Sequence, residues 1–486
     1  MPEDCRIIGV MKPDPPYSLD DLDDALAAVV PRMRALLGEP GRITTPLPLS
    51  ELALRFTGRL PAEGVGWEGV GRLLDRDLLP HSLRMHHPGY AGHQVAVPLP
   101  AAAVVDGLLG LLNPMASLSD MAPTGVMVER QVVRSLASLV GFDPAAADGV
   151  CTSGGTVSNL IAVLAARNRF FPEAWDTGLS GLRPRAFCSE DVHYSVRRAF
   201  GVGGMGTSAL VPVATDEAGR MRVDRLREAI GAAQRAGDTP FLVIAGAPST
   251  PIGAFDPIGE IAAVAAAEGL WLHVDAAHGG GFLFSDRLRR LLDGVAAADS
   301  LSMDGHKMVY QPSSQGWLLF RNGADAYGAF RQQVPYLLGP DGADRGFDAI
   351  GKSLQCTRRL DALKLWVTWH LYGSRTLGAW AERCVAAARA FHARLADHPD
   401  FEPVHPPACN IVCFRARHPS GHHVDAFHDA IRARLLEQGR AWVVLTTYRG
   451  ERLLRTSWMN PTQGEAEVAG VVEALAAARA SVLAEG

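Results

Sequence analysis

Short apolar runs alternate with longer stretches of helical periodicity through the middle of the chain. The runs 185–190 (RAFCSE), 209–214 (ALVPVA), 241–247 (FLVIAGA), 270–277 (LWLHVDAA) and 300–305 (SLSMDG) predict strands, and 222–237 and 258–269 predict helices between them. Alternation of this kind implies a largely parallel sheet covered by helices on both faces. The pattern changes toward both ends. Residues 1–80 mix helical stretches (22–37, 67–79) with Pro-rich breaks and carry too little apolar surface for a core of their own, so they are expected to pack on something else, a second subunit being one candidate. Beyond 370, a helix (378–399), a strand (410–417), a helix (423–439), two strands (441–450, 451–460) and a last helix (465–485) predict an α+β unit. The expected regions are 1–80, 81–370 and 371–486.

Composition narrows the classes. A chain of 486 residues, 48% hydrophobic and 20% charged, can bury a large core. A formal net charge of −5, with the signs mixed, offers no basic field to a nucleic acid or an anionic membrane. The first residues, MPEDCRIIGVMKPDPPYS, lack the basic and apolar regions of a secretory signal, and no later apolar run reaches membrane-spanning length, so a cytoplasmic location is expected. Seven scattered cysteines without a C-x-x-C pair argue against a disulfide framework and a structural zinc site. His81, His86, His87 and His93 share a Pro/Gly-rich segment without fixed spacing, and no metal is expected there.

In a parallel sheet, ligands bind at the carboxyl ends of the strands. One such end precedes Ser153-Gly154-Gly155-Thr156 and a helix, where the amides of Gly155 and Thr156 and the Thr156 hydroxyl are either an ordinary helix cap or a phosphate site. The match G-x-G-x-x-G at 201–206 follows a helix and precedes a strand, the reverse of a dinucleotide fingerprint, and reads as a loop. A second strand delivers Asp275 into an apolar, glycine-rich setting, where a carboxylate needs a donor or a cation. It is either a turn cap or the partner of a protonated ring nitrogen. A third strand leads to SMDGHKM, where Lys307 has no acidic neighbour in helical register: a surface cation or a reactive amine. Pyridoxal phosphate asks for all three features, a phosphate pocket at a helix start, a carboxylate for its pyridine nitrogen and a lysine for its aldehyde.

Taken together, TSGGTVSNLIAVLAAR, CSEDVHYSVRRAFG, STPIGAFDPI, LWLHVDAAHGGG, ADSLSMDGHKM and SLQCTRRLDALKLW resemble the group II pyridoxal-phosphate-dependent amino-acid decarboxylases, the family of aromatic amino-acid, glutamate and diaminobutyrate decarboxylases. The resemblance runs in motif order over roughly residues 80 to 375. It implies the fold-type I, PLP-dependent transferase-like α/β fold, with a mostly parallel large domain, an N-terminal helical segment that embraces a partner in a homodimer, and a small C-terminal domain. It further implies that Lys307 bonds to the cofactor aldehyde and Asp275 pairs with the ring nitrogen. By the same resemblance His193 stacks on one ring face and Ala277 lies against the other. Gly155, Thr156, Ser300 and His306 would contact the phosphate, and Thr250 would approach the ring oxygen. Two departures stand out: Asp304-Gly305 where the family often has Asn-Pro or Asp-Pro, and Ser-Ser-Gln315 where several relatives carry Cys or Ser.

The same resemblance implies release of CO2 and an amine. The family carries the acid that then protonates the α-carbon on a loop after the lysine, and GAFRQQVPYLLGPDGADRG puts Tyr336 there, 29 residues beyond Lys307. HHPGYAGHQVAVPLP and NPMASLSDMAPTGVMVE look nearest to the diaminobutyrate branch, with His93 at a specificity position and Arg455 where glutamate decarboxylases hold a substrate carboxylate. An aliphatic or diamino acid is the expected substrate. An aromatic amino-acid decarboxylase, an aldehyde synthase and a carbon–carbon lyase are the alternatives on the same scaffold.

Overall fold

The computed structural model describes residues 17–38, 41–331, 347–422 and 424–485. Its centre is a seven-stranded sheet made of β1 (Asp148–Thr152), β2 (Pro184–Ser189), β3 (Leu210–Val213), β4 (Thr239–Gly246), β5 (Trp271–Asp275), β6 (Ser300–Asp304) and β7 (Gly316–Phe320), in the order β1-β7-β6-β5-β4-β2-β3. The pairs β2 with β3, β2 with β4, β4 with β5 and β5 with β6 are parallel, while β7 runs antiparallel to both β1 and β6. The five strands expected from the apolar runs are β2 to β6. β7 was not among them: its sequence, GWLLF, is a short apolar run buried at every residue, with no alternation to mark it.

Burial on both faces explains the composition of the sheet. All five residues of β5 and of β6 are buried: the helix Gly155–Phe170 packs on both, and on the other face the helix Ile258–Ala267 packs on β5 and the turn Gly279–Phe284 on β6. Burying a Val, Leu, Ile or Phe side chain contributes about 1.5–3 kcal/mol, so each of these strands adds several such contributions to the core. The end of β1 is pinned electrostatically as well. Buried Arg358 donates to Glu129 Oε1 and Oε2 at 3.1 Å each and to the Cys151 carbonyl at 2.7 Å, while the Cys151 amide donates to Glu129 Oε1 at 3.0 Å. Removing one member of such a pair costs about 3–5 kcal/mol.

Toward the C-terminus, β8 (Phe401–Pro403), β9 (Ile411–Ala416), β10 (Val444–Tyr448) and β11 (Glu451–Ser457) form an antiparallel sheet in the order β10-β11-β9-β8, packed with the helices Ser374–Ala396, Asp425–Gln438 and Glu465–Glu485. The helix Leu19–Leu37 has no buried residue and exposes Leu19, Leu26 and Leu37. The helix Pro100–Leu112 exposes Val104, Leu108, Leu111 and Leu112. No helix among the described residues is long and apolar enough to cross a membrane.

Candidate active site

The carboxyl ends of β1, β2, β4, β5 and β6 surround a cavity of about 360 Å³, walled by Gly155, Thr156, His193, Thr250, Asp275, Ala277, His306 and Lys307 together with residues between them. Eight side chains or amides separated by as much as 152 positions are thus collected by sheet topology alone.

At the start of the helix Gly155–Phe170, the amides of Gly155 and Thr156 have no acceptor within the helix. Gly154 sits at φ 144°, and a Cβ there would stand 3.0 Å from His306 Cε1. At Gly155 it would stand 3.0 Å from Ala277 Cβ and 3.3 Å from Asp304 Oδ2. Glycine is therefore what allows the helix start to approach the loop after β6. Thr152 Oγ1 accepts from the Gly154 amide at 3.2 Å and pairs with Ser158 Oγ at 2.8 Å, which fixes the turn.

Asp275, at the end of β5, accepts from Asn159 Nδ2 at 2.7 Å, from the Ala277 amide at 3.1 Å and from Ser302 Oγ at 3.2 Å. Among the described residues no cation pairs with it; amide and hydroxyl donors do. His193 precedes the helix Tyr194–Val202, and its Nδ1 lies 2.7 Å from Ser195 Oγ and 3.3 Å from the Ser195 amide. Burial lowers the pKa of this imidazole despite nearby Asp275.

Lys307 Nζ lies 3.1 Å from Asp304 Oδ2, an acid three residues back, so the lysine does have an acidic partner, supplied by a turn after β6 and not by a helix. His306 Nε2 is 3.5 Å from the same oxygen, and its Nδ1 accepts from the Gln315 amide at 3.1 Å. Burial lowers the His306 pKa as well. Asp304 Oδ1 is buried with no hydrogen-bond partner among the described residues. The two departures from the family pattern prove to be one feature. A Cβ on Gly305 would stand 1.9 Å from Gln315 Oε1, so the glutamine amide fills the space a proline at 305 would need, and Gln315 Nε2 donates onward to the Asp361 carbonyl at 2.6 Å.

Three expected residues sit elsewhere. Ser300 is a correction: it lies at the start of β6, fully buried, with Oγ 2.9 Å from Trp271 Nε1 and 2.8 Å from His273 Nδ1. The strand length separates it from the cavity, so its hydroxyl is not a phosphate contact. Neither His93 nor Arg455 lines the cavity: His93 is exposed, and buried Arg455 stands behind Thr250. Arg455 Nη1 donates to the Thr250 carbonyl at 2.8 Å, Gln94 Nε2 to the same oxygen at 2.9 Å, and Arg455 Nε is buried without a partner among the described residues. Burial lowers the pKa of Arg455, and Arg455 in turn acts with burial to lower that of His93. Tyr336 lies outside the described residues. His81, His86 and His87 donate separately to the carbonyls of Thr45, Pro98 and Gly41, an arrangement that ties the segment down and collects no ligand set.

Asn159, Ser195 and Ser302 were not singled out in the sequence, and Asp304 only as a departure from the family pattern. Their one signal is a polar residue in an otherwise apolar stretch, as Asn159 is in TVSNLIAVLA.

A lysine held by a neighbouring acid, with a second acid one strand away reserved by amide and hydroxyl donors, fits pyridoxal phosphate. The helix start and glycines would take its phosphate, Asp275 its ring nitrogen, and Lys307 its aldehyde. When bound, the cofactor supplies an electron-poor ring that accepts the electron pair left by a bond broken at the substrate α-carbon. The sequence profile of the family described as the pyridoxal-dependent decarboxylase conserved domain matches residues 96–417, and the chain belongs to that family. It is an amino-acid decarboxylase of fold type I. It is 34% identical to L-aspartate decarboxylase dtxS4 of Metarhizium robertsii, over 82% of this chain and 83% of the relative. It is equally 34% identical to L-2,4-diaminobutyrate decarboxylase of Rhizobium meliloti, over 86% of this chain and 83% of the relative. The crystal structure of mouse CSAD superposes with a TM-score of 0.89 and 28% identity, covering 94% of this chain and 97% of that one.

Proposed function

We propose that this enzyme converts a short L-amino acid with a cationic side chain, of the 2,4-diaminobutyrate type, into its amine and CO2. The charge of the cavity wall carries the reading. Four aspartates (Asp191, Asp256, Asp275, Asp304) and one lysine line it. Asp256 accepts from the amides of Met221 and Gly246 at 2.7 Å each, Asp275 is reserved as above, and Asp304 faces Lys307. Asp191 is the carboxylate offered to an ammonium group: burial and nearby Glu190 raise its pKa, Arg449 opposes them only in part, and a cationic partner in the cavity would be favoured. The relative from Rhizobium meliloti bears a diaminobutyrate name. A second reading rests on Arg455, whose unpartnered Nε behind Thr250 would favour a substrate with an acidic side chain, as in the name of the Metarhizium robertsii relative.

The test is CO2 release from L-2,4-diaminobutyrate, L-aspartate and an aromatic amino acid, with pyridoxal phosphate added. We expect diaminobutyrate to lead, and Asp191→Asn to raise its KM by about tenfold or more, the equivalent of a hydrogen bond to a charged group. Preference for aspartate, with that variant indifferent, would overturn the cationic reading in favour of the acidic one.

Tyr336 is proposed as the acid that protonates the α-carbon after CO2 leaves. Tyr336→Phe removes one hydroxyl while keeping the ring, so substrate should still bind and CO2 should still be released. Amine per CO2 should fall in air, with aldehyde, ammonia and peroxide in its place, and recover in part under argon. An unaltered ratio in air would take Tyr336 off the list.

The exposed apolar faces of Leu19–Leu37 and Pro100–Leu112 support a homodimer in which these helices are covered by the second copy. Sedimentation at micromolar concentration should give twice the 51.9 kDa chain mass, and a monomer would refute it.

A further inference from the structure

Beneath the cavity floor, a chain of buried hydrogen bonds crosses four elements, β5, β6 and the helices Gly155–Phe170 and Tyr194–Val202. Trp271 Nε1 lies 2.9 Å from Ser300 Oγ, which lies 2.8 Å from His273 Nδ1. His273 Nε2 is 3.0 Å from Asn159 Oδ1, and Ser302 Oγ is 2.9 Å from that same oxygen. Asn159 Nδ2 reaches Asp275 Oδ2 at 2.7 Å and Ser195 Oγ at 3.0 Å, and Ser195 Oγ reaches His193 Nδ1 at 2.7 Å. Trp271 is 5% exposed, Asp275 8%, and Asn159, Ser195, His273, Ser300 and Ser302 no more than 1%, so water does not interrupt the chain between its ends.

Its polarity follows from the chemistry of those ends. An indole N–H only donates, so Ser300 Oγ accepts there, and its own proton is free for His273 Nδ1. Burial pushes the His273 pKa down to about 4, so the ring is neutral, with its single proton on Nε2, donated to Asn159 Oδ1. At the other end a carboxylate only accepts. Asn159 must therefore turn its amide nitrogen to Asp275, and its second N–H goes to Ser195 Oγ. His193 Nδ1 also accepts from the Ser195 amide at 3.3 Å, so this nitrogen carries no proton and the Ser195 hydroxyl donates to it. Reversing the Asp275–Asn159 or Asn159–His273 link sets two acceptors or two donors face to face in a dry interior, and a proton on His193 Nδ1 would face the Ser195 amide.

We propose that Asn159 and Ser195 are positioning residues that join Asp275 and His193 into one hydrogen-bonded unit, and so keep the proton of His193 on Nε2, the ring edge not tied to Ser195. Asn159 is the branch point. One arm holds the acid meant for the cofactor ring nitrogen; the other sets which edge of the ring-facing imidazole can donate a hydrogen bond. The chain also gives Ser300 and Trp271, both remote from the cavity, a part in the site. The inference is independent of which amino acid is the substrate.

The deciding measurement is the histidine tautomer, read from two-bond 1H–15N correlations in full-length enzyme labelled at histidine, with and without pyridoxal phosphate. The wild type should show His193 and His273 each as a neutral ring protonated at Nε2. Ser195→Ala should shift His193 toward the Nδ1–H form or a mixture and lower kcat by about tenfold, the size of one lost hydrogen bond, with KM within about threefold. Ser195→Thr, which keeps a hydroxyl, should restore both. Asn159→Ala should disturb His193 and His273 together. If Asn159→Ala does not fold, Ser195→Ala decides alone, since it removes one oxygen from the start of a helix. A wild-type His193 protonated at Nδ1, or a His193 spectrum unmoved by Ser195→Ala, overturns the proposal.

Discussion

Replacing Lys307 with alanine is expected to abolish the visible absorption of the lysine-bound cofactor and to lower turnover by about 10⁴-fold or more, equivalent to about 5.5 kcal/mol in the barrier. The proposed covalent attachment needs an amine at the end of a flexible stem, and no other lysine lines the cavity wall among the described residues. The variant has a second consequence that must be separated from the first. Asp304 is 3% exposed and has Lys307 Nζ 3.1 Å from one oxygen, while its other oxygen has no partner among the described residues, so losing the ammonium leaves a buried carboxylate uncompensated. Stability should therefore fall along with activity. The double variant Lys307→Ala/Asp304→Asn removes that charge, and it should recover melting temperature without recovering absorption or turnover. An imine-like absorption band surviving in Lys307→Ala would remove Lys307 from its proposed place. Activity returning in the double variant would show that Lys307 serves only to neutralise Asp304.

The parts of the fold that could be read in the sequence are those where one physical signal dominates. β2 to β6 announce themselves as apolar runs ending in polar or glycine residues, and the helices between them as amphipathic stretches. β7 escapes because five buried residues without alternation carry no period, and only the pairing with β1 and β6 defines it. At the site, motif residues at strand ends reach the cavity as expected: Gly155, Thr156, His193, Asp275, Ala277 and Lys307. Ser300 misleads because it lies in the right segment on the right strand, and only strand length tells that four residues before Asp304 is the far end of the sheet. The supporting shell was not legible. Asn159 donates to an acid 116 positions away, and the fit between Gly305 and Gln315 depends on a loop returning to within a hydrogen bond's reach. Such contacts leave in a single sequence no mark beyond a polar residue where an apolar one is expected.

Asp275→Ala carries the second large expected effect. On the proposed assignment its carboxylate keeps the cofactor ring nitrogen protonated, which is what makes the ring a strong electron acceptor. Removing it should leave the phosphate turn and Lys307 intact, so cofactor should still bind and still colour the protein, though more weakly. Turnover should fall by about 10³-fold, some 4 kcal/mol of transition-state stabilisation. Part of that loss is structural, because Asn159 Nδ2, Ser302 Oγ and the Ala277 amide lose an acceptor in a buried site. Asp275→Asn separates the two contributions, since it keeps the volume and one acceptor but not the charge. A cofactor analogue with carbon in place of the ring nitrogen completes the cycle. If the carboxylate acts through that nitrogen, Asp275→Asn should slow the enzyme carrying pyridoxal phosphate by about 10³-fold and the enzyme carrying the analogue hardly at all, because the analogue has no proton to hold. An equal penalty with both cofactors would mean that Asp275 serves the architecture around Asn159 and not the ring.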